Sequence, residues 1–198
     1  LLLWFSVQFD QVVEDTLAYS LVITIGIFHG ANDLLVLSKS QSERKSFLKN
    51  LVIYLLIIIL CVLVYLVYPL LAILLFILIS AYHFGEEHFS SFLKRNFIFD
   101  TIYYLIYGLF IFASIFYNSL DEVNVIMQQL ANYQFSKYLI NTGLLLSGLS
   151  LLLLTAFVMI KKELKIADAT KELFYLLLLF LVFKSTSLIL GFAIYFIF

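Results

Sequence analysis

Apolar runs long enough to cross a bilayer recur along nearly the whole chain, separated only by short polar connections. A helix needs ~20 such residues to cross the hydrocarbon, where no water reaches the backbone and every N–H and C=O must be bonded within the structure. On that rule the sequence predicts spans near 17–37, 50–68, 69–89, 101–118, 138–160 and 166–183, with a last one running from 187 to 198 and beyond. The expected fold is all-α: a polytopic transmembrane helical bundle of about seven helices, forming a single transmembrane domain over 1–198. The chain is 64% apolar, against ~45–50% in soluble domains. A globule of this length leaves about a third of its chain surface in water, so its solvent is expected to be lipid.

Residues 1–9 read as the tail of an earlier helix, and the apolar run reaching Phe198 as an unfinished span, so the domain is expected to be truncated at both ends. Tyr68-Pro69 separates the second span from the third. Proline disfavours helix in the residue before it and suits the first turn of the helix after it, which predicts a tight hairpin. The stretch 121–134 is polar enough for a loop, with room for one short interfacial helix. A net charge of -1 gives no basic surface for nucleic acid. The lone Cys61 excludes an intrachain disulfide framework.

Basic residues fix the expected orientation, because cytoplasmic loops collect Lys and Arg. Lys39, Arg44, Lys45, Lys49, Lys94, Arg95, Lys161, Lys162, Lys165 and Lys171, ten of the twelve Lys and Arg, fall on one side of the predicted topology. Only Lys137 and Lys184 fall on the other, beside Asp10, Glu14, Asp15, Asp121 and Glu122. The basic side is therefore expected to be cytoplasmic.

Titratable groups inside hydrocarbon cost a few kcal/mol each, so they read first as functional. Two clusters stand out: His29-Gly30-Ala31-Asn32-Asp33 in the first span and His83-Phe84-Gly85-Glu86-Glu87-His88 at the end of the third. His29 and Asp33, like His83 and Glu87, are spaced to share one helix face. Gly30 and Ala31 allow a neighbouring helix to approach closely. Both spans run inward. At ~1.5 Å per residue His29 lies roughly 12 Å, and His83 roughly 9 Å, from the cytoplasmic end of its span, so the two imidazoles match in depth. Glu86 and His88 fall near the interface, where water can solvate them. Imidazoles and carboxylates on facing helices build metal sites in bundles, the carboxylate orienting the ring. Two histidines do not complete such a site. Hydrogen bonds between helices and a proton relay remain open on spacing alone, the relay implying a transporter or channel-like bundle.

The motifs His29-Gly30-Ala31-Asn32-Asp33, Ala81-Tyr82-His83-Phe84-Gly85-Glu86-Glu87 and Gly191-Phe192-Ala193-Ile194-Tyr195-Phe196 resemble those of the bacteriorhodopsin-related-protein/Blh family of β-carotene 15,15′-dioxygenases. The resemblance implies an integral, multi-pass enzyme of the bacterial plasma (inner) membrane. It would use Fe(II) and O₂ to cleave β-carotene, taken from the membrane lipid, into two retinals. It also implies His29 and His83 as iron ligands, with two further histidines expected just beyond Phe198, and casts Asp33 and Glu87 as residues that orient the ligands. His88 departs from the family pattern, which often has an acidic residue there, and is not expected to be a ligand. Phe28, Tyr82, Phe84, Tyr103, Tyr104, Tyr107 and Phe110 are abundant enough to line an apolar tunnel, although packing or lipid contact is the commoner use of such residues. A desaturase or hydroxylase would carry His-to-His pairs three or four apart, and the chain has none.

Overall fold

The structure is a computed structural model that describes residues 12–24, 44–90, 97–161 and 164–197. Among these residues it is all-helical, with eight helices and no strand: α1 (12–24), α2 (Arg44–Val67), α3 (Pro69–Phe89), α4 (Phe97–Asn118), α5 (Leu120–Ala131), α6 (Lys137–Ile160), α7 (Ile166–Ser185) and α8 (Leu188–Ile197). The all-α expectation holds. The helix beyond the expected seven is the short α5, in the polar stretch that had room for one. Three helices, α3, α4 and α6, are long and apolar enough to cross a membrane. Residues 1–9, the first span beyond residue 24, and Phe198 lie outside the described residues.

Several helices begin ahead of their apolar runs: α2 starts at Arg44 and α4 at Phe97, and α1 is helical from residue 12. Once nucleated, a helix gains one hydrogen bond per added residue, so it does not stop where the hydrocarbon stops. Pro69 opens α3 as its first residue, where its fixed φ fits and its missing N–H is no loss. Tyr68 before it is non-helical, with φ -135° and ψ 71°.

The bundle is organised around α4, which packs on α3, α6, α7 and α8. Tyr103, Tyr104, Tyr107 and Ile111 of α4 are all buried in the main core. The tyrosine stripe read from the sequence is thus a packing face rather than a lipid face. The α3–α4 crossing is closest where Gly85 lies over the Tyr104 backbone and Gly108 lies over the Ala81 backbone. A Cβ on either glycine would land on the opposing carbonyl, so the two helices meet main chain to main chain. Small residues at such crossings are how membrane helices gain dispersion contact where lipid offers no hydrophobic drive. At the opposite extreme, residues 52–60 of α2 are exposed on every side, as expected of a helix bathed in lipid.

The side expected to be non-cytoplasmic is held together by polar contacts. The Ser187 N–H donates to Glu14 Oε1 at 2.7 Å, and the Leu188 N–H donates to Glu122 Oε2 at 2.9 Å. Two carboxylates from α1 and α5 thus cap the start of α8, satisfying N–H groups that have no partner within the helix. Asn124 of α5 staples the next connection by bonding both the N–H and the carbonyl of Phe135, at 2.7 and 3.1 Å. The topology read from charge puts residues 14, 122 and 187 on the same side, and the structure joins them there. Glu122→Ala is expected to lower stability by about 1–2 kcal/mol, since a capping acceptor is lost, and Glu122→Gln by less. Thermal unfolding in detergent or lipid compares the two.

Candidate functional site

Among the sequence-derived site residues, His83 and Glu87 are described; His29 and Asp33 lie outside the described residues. His83 stands on the exposed side of α3 with Glu87 one turn further along, also exposed. At about 100° per residue, His83 points roughly opposite the face formed by Ala81 and Gly85, which lies against α4. The imidazole is therefore turned away from the bundle's main core. Phe84, its neighbour, does the reverse. Its ring meets Tyr195 at 5.1 Å edge-on, Phe196 at 6.2 Å and Phe192 at 6.4 Å, and it stacks on Phe112 at 6.0 Å. These rings dock the far end of α8 beside α3 at the level of His83.

Glu86 accepts a 2.8 Å hydrogen bond from the Tyr82 hydroxyl. His88 is not a solvated interfacial residue. Its Nε2 lies 2.5 Å from Glu172 Oε2 of α7, and its ring lies between Tyr107 and Tyr175, with centroids at 5.1 and 5.3 Å and planes within 12° and 18° of parallel. A carboxylate only accepts, so Nε2 carries the hydrogen. The sequence held a signal for this pair, because Glu172 is a carboxylate set just inside a predicted apolar span. The sequence reading did not single Glu172 out, and nothing local points to its partner, 84 positions away.

Among the described residues no group of three or more His, Cys, Asp or Glu side chains is gathered closely enough to hold a metal ion. What this region offers a metal is one imidazole, His83, with a carboxylate on the same helix face. That donor chemistry suits iron, as part of a larger set. An apolar groove of about 380 Å³ runs between α3, α4 and α6, bounded by Leu74, Ile77, Phe112, Ala113, Phe116 and Gly143 among others. Its Phe112 wall is the ring stacked on Phe84, and the groove lies on the α4-facing side of α3, away from the side on which His83 stands.

Comparison with known proteins adds the deciding observation. The family model described as beta-carotene 15,15'-dioxygenase matches residues 20–198, nearly the entire chain and both histidine clusters. The chain belongs to the β-carotene 15,15′-dioxygenase family. No curated protein and no solved structure shows a significant match. Membership identifies a dioxygenase family acting on a carotenoid, in keeping with three helices, among the described residues, that are long and apolar enough to cross a membrane.

Proposed function

We propose that the protein is a multi-pass, iron(II)-dependent oxygenase of the bacterial plasma membrane that cleaves β-carotene at its central 15,15′ double bond with O₂ to give two retinals. The family match over residues 20–198 carries this reading. The placement of His83 supports it. The residue lies on α3 at the level where the neighbouring Phe84 ring meets Tyr195 and Phe196 of α8.

His83, with His29, would hold the iron, and Glu87, with Asp33, would fix the ring orientations by accepting their outer N–H groups. When bound, Fe(II) supplies the activation of O₂ that an unaided side chain cannot; each aldehyde product takes one oxygen atom. The rest is positioning. A C40 hydrocarbon has no polar handle, so the bond presented to the metal is set by how far the chain slides along an apolar wall. The groove between α3, α4 and α6, at about 380 Å³, is at the low end of ligand-pocket sizes, ~300–1,000 Å³. It has room for one arm of the substrate, with the Phe112 ring, stacked on Phe84, forming part of its wall.

The decisive experiment supplies β-carotene to membranes containing the intact protein and counts retinal. Two retinals per carotenoid are expected, lost on iron chelation and restored by Fe(II). Proton-driven solute uptake with no retinal would instead support a transporter in which His29, Asp33, His83 and Glu87 relay protons. Ala113→Phe, which fills the groove, is expected to raise the KM for β-carotene about tenfold or more. Steady-state kinetics in mixed micelles measure it, and an unchanged KM would place the substrate elsewhere.

A further inference from the structure

We infer that His88 is a positioning residue: through its hydrogen bond to Glu172 and its stacking between Tyr107 and Tyr175, it sets the rotation of α3 that aims His83. The inference rests on the reading of His83 as an iron ligand. His88 is not cast as a further ligand, because it stands on a different face of α3 from His83. The step of five positions from His83 turns the two side chains about 140° apart on the helix.

The need for such a device follows from how α3 is held. Its main contact, with α4, is made by Ala81 and Gly85 against backbone. That contact brings the helices close, and the Phe84 and Phe89 rings of α3 pack beside it on Phe112, Tyr103 and Tyr107 of α4, which leaves the side toward α7 to be held by His88. His83 lies on the far side of the α3 axis, so a small rotation about it would sweep the imidazole sideways. His88 resists that rotation twice over. Tyr107 of α4 and Tyr175 of α7 offer two nearly parallel faces, at 5.1 and 5.3 Å, and the flat imidazole fits between them in one plane only. The carboxylate of Glu172 then holds the ring edge and fixes its reach toward α7. An α-helix is stiff, and the five residues from His88 to His83 span roughly 7.5 Å, so an orientation fixed at one is transmitted to the other.

The chemistry of the pair also favours positioning over bulk stability. His88 and Glu172 are largely withdrawn from solvent, with side chains 29% and 21% exposed. An apolar pair of similar size would usually hold helices together as well or better, whereas a polar pair permits only one register.

The test uses the full-length enzyme in lipid, with kcat and KM for β-carotene, bound iron and thermal unfolding measured together. His88→Leu is expected to cut kcat about 10–100-fold, as for an ångström-scale misplacement, with KM changed less than about twofold. Glu172→Gln, which keeps an oxygen acceptor, should retain most of the turnover. The reciprocal exchange, His88→Glu with Glu172→His, should recover a large part of what His88→Leu loses. If leucine prevents folding, His88→Gln, which keeps the donor but not the stacked ring, is expected to fall between wild type and leucine. The inference is overturned if His88→Leu turns over normally, if kcat falls only in proportion to folded protein, or if the folded exchange variant recovers nothing. His83→Ala in the same preparation separates the two claims. Retinal formation surviving there would remove the ligand reading and the inference with it, whereas its loss alongside a normal His88→Leu would overturn only the positioning role.

Discussion

His83→Ala is expected to lower retinal formation by on the order of 10³-fold or more while leaving the bundle folded. Partners that merely orient a metal ligand typically cost ~10–100-fold when removed, so loss of the ligand itself should exceed that range. The structure makes the experiment clean. His83 stands on the exposed side of α3 and belongs to neither core cluster, so the substitution should shift stability by less than about 1 kcal/mol. Retinal extracted from carotenoid-producing cells, normalised to folded protein in the membrane, gives the number. Wild-type yield would exclude His83 from the metal site. Glu87→Gln belongs to the same experiment, with an expected loss of ~10–100-fold, because Glu87 shares the face of His83 without being cast as a ligand.

The largest loss of stability is expected at a residue with no chemistry. Gly108→Ala adds one methyl group, and an ideal Cβ there coincides with the carbonyl of Ala81. No rotamer relieves that overlap, because both sides are backbone. Ordinary overpacking of a core costs ~1–3 kcal/mol when side chains can shift. Here two whole helices must part, and the cost should exceed about 3 kcal/mol. Gly85→Ala, against the Tyr104 carbonyl, should behave alike. Gly143 is the control, since nothing lies within 4 Å of a Cβ built on it, and Gly143→Ala should be neutral or slightly stabilising, as alanine favours helix by up to ~1 kcal/mol. Size-exclusion profiles and thermal melts in detergent rank the three. An aggregated Gly143→Ala beside a well-behaved Gly108→Ala would refute the close crossing.

The sequence carries the helices legibly and their mutual arrangement poorly, for a physical reason. Hydrocarbon imposes length and apolarity on each span separately, so α3, α6 and α7 lie within a few residues of where composition places them. Pro69 marks its hairpin, and the acidic residues at 14 and 122 fall on the side where they meet α8. Which face of a span turns inward is weakly written, because lipid accepts the same residues that the core does. The tyrosines of α4 could equally have faced lipid. One signal for the α3–α4 crossing was present: Ala81 and Gly85, four apart, form a small-xxx-small pair. Only the matching Gly108 on the other helix completes it, and no local pattern ties Gly108 to Ala81. The same limit applies to His88, whose motif marks it as polar and near an interface, while its role depends on Glu172 and two tyrosines from other helices.

The capping of α8 by Glu14 and Glu122 has a consequence for biosynthesis. Both acceptors are made before the N–H groups they hold, those of Ser187 and Leu188. Until α8 is inserted, both carboxylates must rely on water at the membrane surface. The bundle is therefore latched by a helix made after both acceptors, and an intermediate lacking α8 carries two exposed acceptors in place of a closed end. Such an intermediate should be recognisable to a protease at that surface, and the completed protein should not.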